Sequence, residues 1–324
     1  MFAASELLDI VNTHLSKMDF DRSPRGLYEP IKYVLSIGGK RIRPVLMMMA
    51  YNLYKNNISE ILSCAAGIEM YHNYTLLHDD LMDKADTRRG KKTVHKIWND
   101  NVAILSGDAM LLLAYRHISD CPSEKQKEIL DLFGFTALEI CEGQQLDMEF
   151  ELRDDVSEVE YLEMIRLKTA VLLAASLKIG ALLGGASEKD ADLLYDVGMN
   201  LGVAFQLKDD LLDIYGNPVI FGKKIGGDIL CNKKTYILIK ALKLANANQS
   251  FELMEWINAV SYDPEEKIAN MTRIYTELGL KTICERKMEI YYQQASDSLA
   301  RVQVAEDSKK MLMAMIDNLM FREM

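Results

Sequence analysis

A chain of 324 residues, 49% apolar and 27% charged, has the composition of a folded globular protein able to bury a large interior, which excludes disordered and fibrous classes. A formal net charge of −10 and a pI near 5.2 leave no basic stripe for nucleic acid, so an anionic ligand must be held by locally concentrated cations. Five scattered cysteines (Cys64, Cys121, Cys141, Cys231, Cys284) contain no C-x-x-C pair and suggest neither a disulfide framework nor a zinc site, which points to a reducing compartment and a cytoplasmic protein.

The N-terminal segment MFAASELLDIVNTHLSKM is amphipathic and carries acids where a signal peptide needs an unbroken apolar stretch. No segment reaches the roughly 18 uncharged apolar residues of a membrane span, so stable membrane insertion is not expected. GGKRIRP then gathers Lys40, Arg41 and Arg43 behind a glycine pair. Apolar residues at three and four spacing predict long helices over 58–83, 156–184 and 188–216, each opened by a capping residue. No proline stands between Pro122 and Pro218, which leaves room for uninterrupted helices, because proline removes an amide donor and clashes inside a helix. Residues 221–235, FGKKIGGDILCNKKT, read as a glycine- and lysine-rich loop followed by a new helix. With strand signals poor and no linker or repeat, the expectation is one all-α domain over 1–324, a large helical bundle with some helices central.

The chemistry lies in two acid triplets. In HDDLMD, Asp79 and Asp83 are four apart and share one helix face, with Asp80 alongside; QLKDDLLD repeats the spacing at Asp209, Asp210 and Asp213. One such triplet is more often a solvated acidic face than a site. Two on strongly apolar helices are tolerable if they face each other across a cavity and share cations, since unpaired buried carboxylates are very costly. Carboxylates with no histidine or cysteine at ligand spacing suit magnesium, whose shell is commonly completed by phosphate oxygens, so a diphosphate or polyphosphate ligand is expected. Cations stand ready for it: Lys40, Arg41 and Arg43, then Arg88 and Arg89 in TRRG, Lys168 in RLKTA, and Lys223, Lys224 and Lys233 in the glycine loop. Neither a Walker loop nor a strand-linked G-x-G-x-x-G is present. His72 lies two helical turns before Asp79 and points from a similar face, whereas His78 reads as a core residue or a supporting one.

The ordered set GGKRIRP, HDDLMDKADTRRG, a mid-helix Lys-Thr, FQLKDDLLD and GKKIGGDILCNKKTY, spanning roughly residues 36–236, resembles the trans-isoprenyl diphosphate synthases of the polyprenyl synthetase family. The resemblance implies an all-α bundle around a central active-site cavity, a homodimer, and head-to-tail joining of isopentenyl diphosphate to an allylic diphosphate. It further implies that Asp79 and Asp83 bind two magnesium ions and Asp209 a third, with Asp80 and Asp213 assisting by hydrogen bonds or through water. Arg88, Lys168 and Lys224, with Lys223 beside it, would hold the allylic diphosphate, and Lys233 would lie nearby. Lys40, Arg43, His72 and Arg89 would hold isopentenyl diphosphate, while Thr169 and Gln206 would line the path of the reacting carbons. GKKIGG stands where many bacterial relatives read GKP, which leaves the choice between Lys223 and Lys224 open.

The implied reaction ionises the allylic C–O bond, traps the carbocation with the second substrate's double bond and loses a proton, with water kept out by a 221–235 lid hinged at Gly226 and Gly227. The growing chain would run along the first aspartate helix. Its floor would be Tyr74, five positions before Asp79 and about 7.5 Å away along the helix, and behind it Tyr71, about 12 Å away. An aromatic at Tyr74 without an insertion in the motif resembles synthases that stop at fifteen or twenty carbons. A longer-chain synthase is the alternative. A class I terpene cyclase should instead show an N/D-rich S/T-E motif, and a non-catalytic partner subunit should have lost motif acids, whereas all six stand here. The stretch after about residue 245 reads as charged and helical, without a motif.

Overall fold

The computed structural model describes residues 2–216 and 225–321. Lys223, Lys224 and much of the expected lid therefore lie outside the described residues. The helices are α1 (Ala4–Ser16), α2 (Arg25–Ser36), α3 (Ile42–Asn52), α4 (Leu62–Met82), α5 (Val94–Ile97), α6 (Asp100–Ile118), α7 (Ser123–Glu151), α8 (Glu158–Ile165), α9 (Val171–Gly184), α10 (Glu188–Tyr215), α11 (Gly227–Leu230), α12 (Tyr236–Leu244), α13 (Ala247–Asn258), α14 (Pro264–Glu277), α15 (Leu280–Arg301) and α16 (Glu306–Phe321). Among the described residues, strand is confined to the hairpin of β1 (Thr87–Arg88) and β2 (Lys91–Lys92), so the protein is all-α as expected.

Helix starts follow the sequence chemistry. Ser157 and Glu160 form a capping box at the head of α8, Asn99 accepts from the Val102 amide at α6, and Asp263 caps α14 with Pro264 in its first turn. Two of the three long-helix expectations need correction. The 58–83 helix opens at Leu62 rather than at a polar cap, because Ile58–Glu60 close a 3₁₀ turn, in which Asn57 accepts from Ser59 and donates to Glu60. The 156–184 run is interrupted by a π-helical turn, Arg166–Ala170, between α8 and α9.

The described chain falls into two compact units, each drawn from three stretches of sequence. The first comprises Met1–Phe135, Ala175–Tyr195 and Val302–Leu312. Its α4 packs along α6 and α3, and Val45 to Met49 of α3 are at most 2% exposed. Each fully buried Leu, Ile or Met stabilises by about 1.5–3 kcal/mol, so these helices are held chiefly by burial. The second comprises Thr136–Ala174, Asp196–Arg301 and Met313–Met324; its core joins Tyr161, Ile165, Leu207, Leu211, Tyr236, Met271 and Tyr275. The 158–184 run is long and apolar enough to be compared with a membrane span, but 83% of its most apolar window is buried, so its apolarity serves the protein interior.

Candidate functional site

In the first unit the RRG hairpin and the GGKRIRP loop are tied to the aspartate helix. Arg89 (φ 52°) and Gly90 (φ 73°) both occupy the left-handed region, the requirement of a two-residue type I′ turn, which glycine meets without steric cost. From that turn Arg88 reaches back to α4. Its Nε donates to both Asp80 carboxylate oxygens at 2.8 Å, and its Nη2 stands 3.5 Å from Asp79. Arg89 donates from Nη1 to the Gly38 carbonyl, joining the hairpin to the glycine pair. Asp83 stands at the C-terminal cap of α4, exposed, and Lys40 is exposed on the glycine loop.

Arg43 lies 3.1 Å from His72, Nη1 to Nε2. Burial lowers the Arg43 guanidinium to about 10, and its buried Nε has no hydrogen-bond partner among the described residues. Burial, and then the charges of Arg43, Arg89, Arg88 and Arg41, hold His72 well below its ordinary value, so its imidazole is neutral. A small pocket brings Asp80, Arg88, Arg89 and Asn73 together with apolar residues such as Val34 and Leu77. Arg41, which the sequence groups with these cations, serves the fold instead. Its guanidinium is 3% exposed, donating to Glu69 at 2.6 Å and to the Leu35 carbonyl at 2.7 Å.

Along α4, ring contacts run on from the aspartates. Tyr74 lies 4.8 Å from His78 and 5.4 Å from Tyr71 between ring centroids; Tyr71 meets Phe133 edge-on at 5.0 Å, and Phe133 meets Tyr115 at 4.8 Å. Tyr74 is half-buried and Tyr71 is 1% exposed.

In the second unit Lys168 and Thr169 sit in the π-helical turn. Lys168 Nζ donates to Asp147 on α7 at 2.6 Å, and Lys233 Nζ lies 3.5 Å from the same oxygen. Thr169 donates to Gln206 at 3.2 Å, and Gln206 donates to Asp210 at 3.2 Å. Asp210 also accepts from the buried Tyr161 hydroxyl, and its own burial pushes it up to about 7. Asp209 is half-buried next to it. Asp213 receives the returning chain: its carboxylate accepts the Asp228 amide at 3.0 Å and its carbonyl the Gly226 amide at 2.6 Å.

Lys233 itself is exposed, yet its segment is pinned from the C-terminal half. Asn232 donates to the Ile257 carbonyl at 3.0 Å and accepts from Lys267 Nζ at 2.8 Å. Lys267 is 0% exposed, its ammonium 4.4 Å above the Tyr262 ring, and the Tyr262 hydroxyl donates to the Leu230 carbonyl at 3.2 Å. The stretch after residue 245 thus buttresses a site segment, which its sequence does not signal. Asp147 and Tyr161 likewise enter through contacts that no local motif announces.

Among the described residues no three acids, histidines or cysteines are grouped closely enough to hold a metal ion. Asp80 is engaged by Arg88, Asp210 by Tyr161 and Gln206, and Asp213 by a backbone amide. The residues singled out as ligands, Asp79, Asp83 and Asp209, supply only carboxylate oxygens. That donor set suits a hard divalent cation that completes its shell with ligand oxygens.

A family profile described as polyprenyl synthetase matches residues 24–277. A short chain isoprenyl diphosphate synthase of Methanocaldococcus jannaschii is 42% identical over 241 residues, covering 74% of this chain and 73% of that protein. A geranylgeranyl diphosphate synthase of Methanosarcina mazei is 43% identical over 222 residues, covering 68% of each. A crystal structure of geranylgeranyl pyrophosphate synthase shares 43% identity with a TM-score of 0.94 and full coverage of both chains.

Proposed function

The chain belongs to the polyprenyl synthetase family, a trans-prenyltransferase acting on prenyl diphosphates, and from that premise we propose that it condenses isopentenyl diphosphate with allylic diphosphates and stops at twenty carbons. The observation that carries the reading is the cation group around neutral His72. Arg43, Arg88 and Arg89 act on one imidazole beside Asp79 and Asp80, and Arg43 keeps a buried donor without a partner. A buried N–H left unpaired is costly, and a diphosphate oxygen satisfies it.

Lys40, Arg43, His72 and Arg89 bind isopentenyl diphosphate; His72, being neutral, contributes a hydrogen bond without adding charge. Arg88, Lys168 and Lys233, with Lys223 or Lys224, bind the allylic diphosphate and offset the charge that grows as its C–O bond ionises. Asp79, Asp83 and Asp209 would hold three magnesium ions, which supply Lewis-acid polarisation of that diphosphate when bound. Asp80 assists by steering Arg88 through its two hydrogen bonds, and Asp213 by anchoring the Gly226–Asp228 return. Thr169 and Gln206, bonded to each other, present oxygen lone pairs along the path of the reacting carbons. The proton released after condensation passes to the departed diphosphate.

Tyr74, braced by Tyr71 and His78, closes the floor of the chain channel, and similarity to geranylgeranyl synthases supports twenty carbons over fifteen. Exposed Ile104, Leu105 and Leu112 on α6, at 43%, 60% and 67%, support a homodimer. A cytoplasmic location fits the buried apolar 158–184 run and the free cysteines.

The test is product analysis with isopentenyl diphosphate and dimethylallyl, geranyl or farnesyl diphosphate, with magnesium or a chelator, for the natural chain and Tyr74→Ala. Magnesium-dependent products ending at twenty carbons, lengthened in the variant, are expected. Products beyond thirty carbons from the natural chain overturn the floor, and no elongation by folded protein overturns the reaction.

A further inference from the structure

Asp147 belongs to none of the motifs, yet it joins two lysines from different parts of the second unit. Gly143 and Asp147 are four apart on α7 and so share a face. At Gly143 the helix comes so close to the π-helical turn that a Cβ would stand 2.3 Å from the Lys168 amide nitrogen and 2.8 Å from the Leu167 carbonyl carbon. Any side chain there would push the two backbones apart. One turn further on, the Asp147 carboxylate accepts from Lys168 Nζ at 2.6 Å and lies 3.5 Å from Lys233 Nζ.

Lys168 is therefore held at both ends, its backbone against Gly143 and its ammonium on Asp147. Lys233 is held likewise, its segment fixed through Asn232 and Lys267, its tip directed to the same oxygen. The Asp147 side chain is only 14% exposed. Burial alone would raise its carboxyl, but the neighbouring Lys233 and Lys168 hold it below the ordinary range, so it is an anion between two cations.

We propose that Asp147 is the positioning residue for the allylic diphosphate: its carboxylate holds the Lys168 and Lys233 ammonium groups at one spacing, so the ligand meets a pair already formed. This deepens the reading given above and rests on it. Pre-ordering two flexible lysines removes an entropic cost from binding, and their placement matters to the rate because small displacements of a charged group weaken transition-state stabilisation steeply. A rival effect has the opposite sign. If Asp147 contributed only its negative charge, replacing it with a neutral group would tighten the binding of an anion.

The experiment compares the full-length natural chain with Asp147→Asn and Asp147→Glu. It measures KM for each substrate, kcat, the affinity for inorganic diphosphate with magnesium by calorimetry, and thermal unfolding. For Asp147→Asn the allylic KM should rise and diphosphate affinity fall about 10-fold, with kcat down about 100-fold and KM for isopentenyl diphosphate within about twofold. Asp147→Glu keeps the charge on a longer arm, and its allylic KM should rise about threefold; should the Asn variant fail to fold, this variant decides. Unchanged or tighter diphosphate binding, or equal shifts in both KM values, overturns the proposal. A natural chain that makes no condensation product overturns the underlying reading and this role with it, whereas an active natural chain with an unmoved variant overturns the role of Asp147 alone.

Discussion

Asp80 and Asp210 occupy the same place in two copies of one D-D-x-x-D spacing, and both are nearly buried, at 6% and 4% exposure. Around Asp80 the partner is a cation, Arg88, with both carboxylate oxygens engaged at 2.8 Å. Around Asp210 the partners are neutral, the Tyr161 hydroxyl and the Gln206 amide, and burial pushes the carboxyl up to about 7. The third acids diverge too: Asp83 stands exposed at the end of α4, whereas Asp213 caps the short α11. Identical spacing thus fixes which helix face the carboxylates share; burial raises both carboxyls, against the pull of Arg88 at Asp80, and raises Asp210 the further.

The comparison breaks most visibly at the acids assigned to metal. Asp79→Ala and Asp209→Ala should each lower kcat/KM by about 10³-fold, measured in the same condensation assay. Asp210→Asn should lose far less; an equal loss would erase the distinction between outer and middle acids. Next in size is stability. Asp80→Asn leaves a partly buried guanidinium without its counter-charge and should cost about 2 kcal/mol in urea unfolding, discounted from a fully buried pair because Arg88 is 29% exposed. Tyr161→Phe strips a donor from a buried carboxylate and should cost about 1–2 kcal/mol by the same measurement.

The smallest effect is a slope. His72 has its folded-state value held below the ordinary 6.5, so the unfolded chain binds the extra proton. Its contribution to stability is intact above the unfolded value and declines as pH falls below it, by at most about 1.4 kcal/mol per pH unit. Urea midpoints followed from about pH 7.5 down to about pH 5 should show that decline, and His72→Gln should flatten it.

Much of the local structure was legible in the sequence, though not the 3₁₀ turn at Ile58–Glu60. Caps at Ser157, Asn99 and Asp263, the proline-free helices and the two acid triplets are all visible within a few residues of themselves. The π-helical turn was not, because one extra residue leaves the three-and-four apolar pattern readable on both sides. Nor could the line separate Arg41 from Lys40 and Arg43. Three cations in four residues look alike until Glu69, 28 positions away, claims one of them. Asp147 and Lys267 were silent for the same reason: their partners lie 21 and 35 positions off.

The support of Asn232 by Lys267 and of Leu230 by Tyr262 bears on how the protein comes into being. Translation delivers the chain from the N-terminus, and every motif proposed to touch substrate has been made before α14 emerges. The Lys233 segment gains its prop only when residues 262–268 can fold against it. A nascent or prematurely stopped chain therefore carries the residues proposed for catalysis while the Lys233 segment still lacks its support, and that part of the proposed site is completed late, with the finished polypeptide.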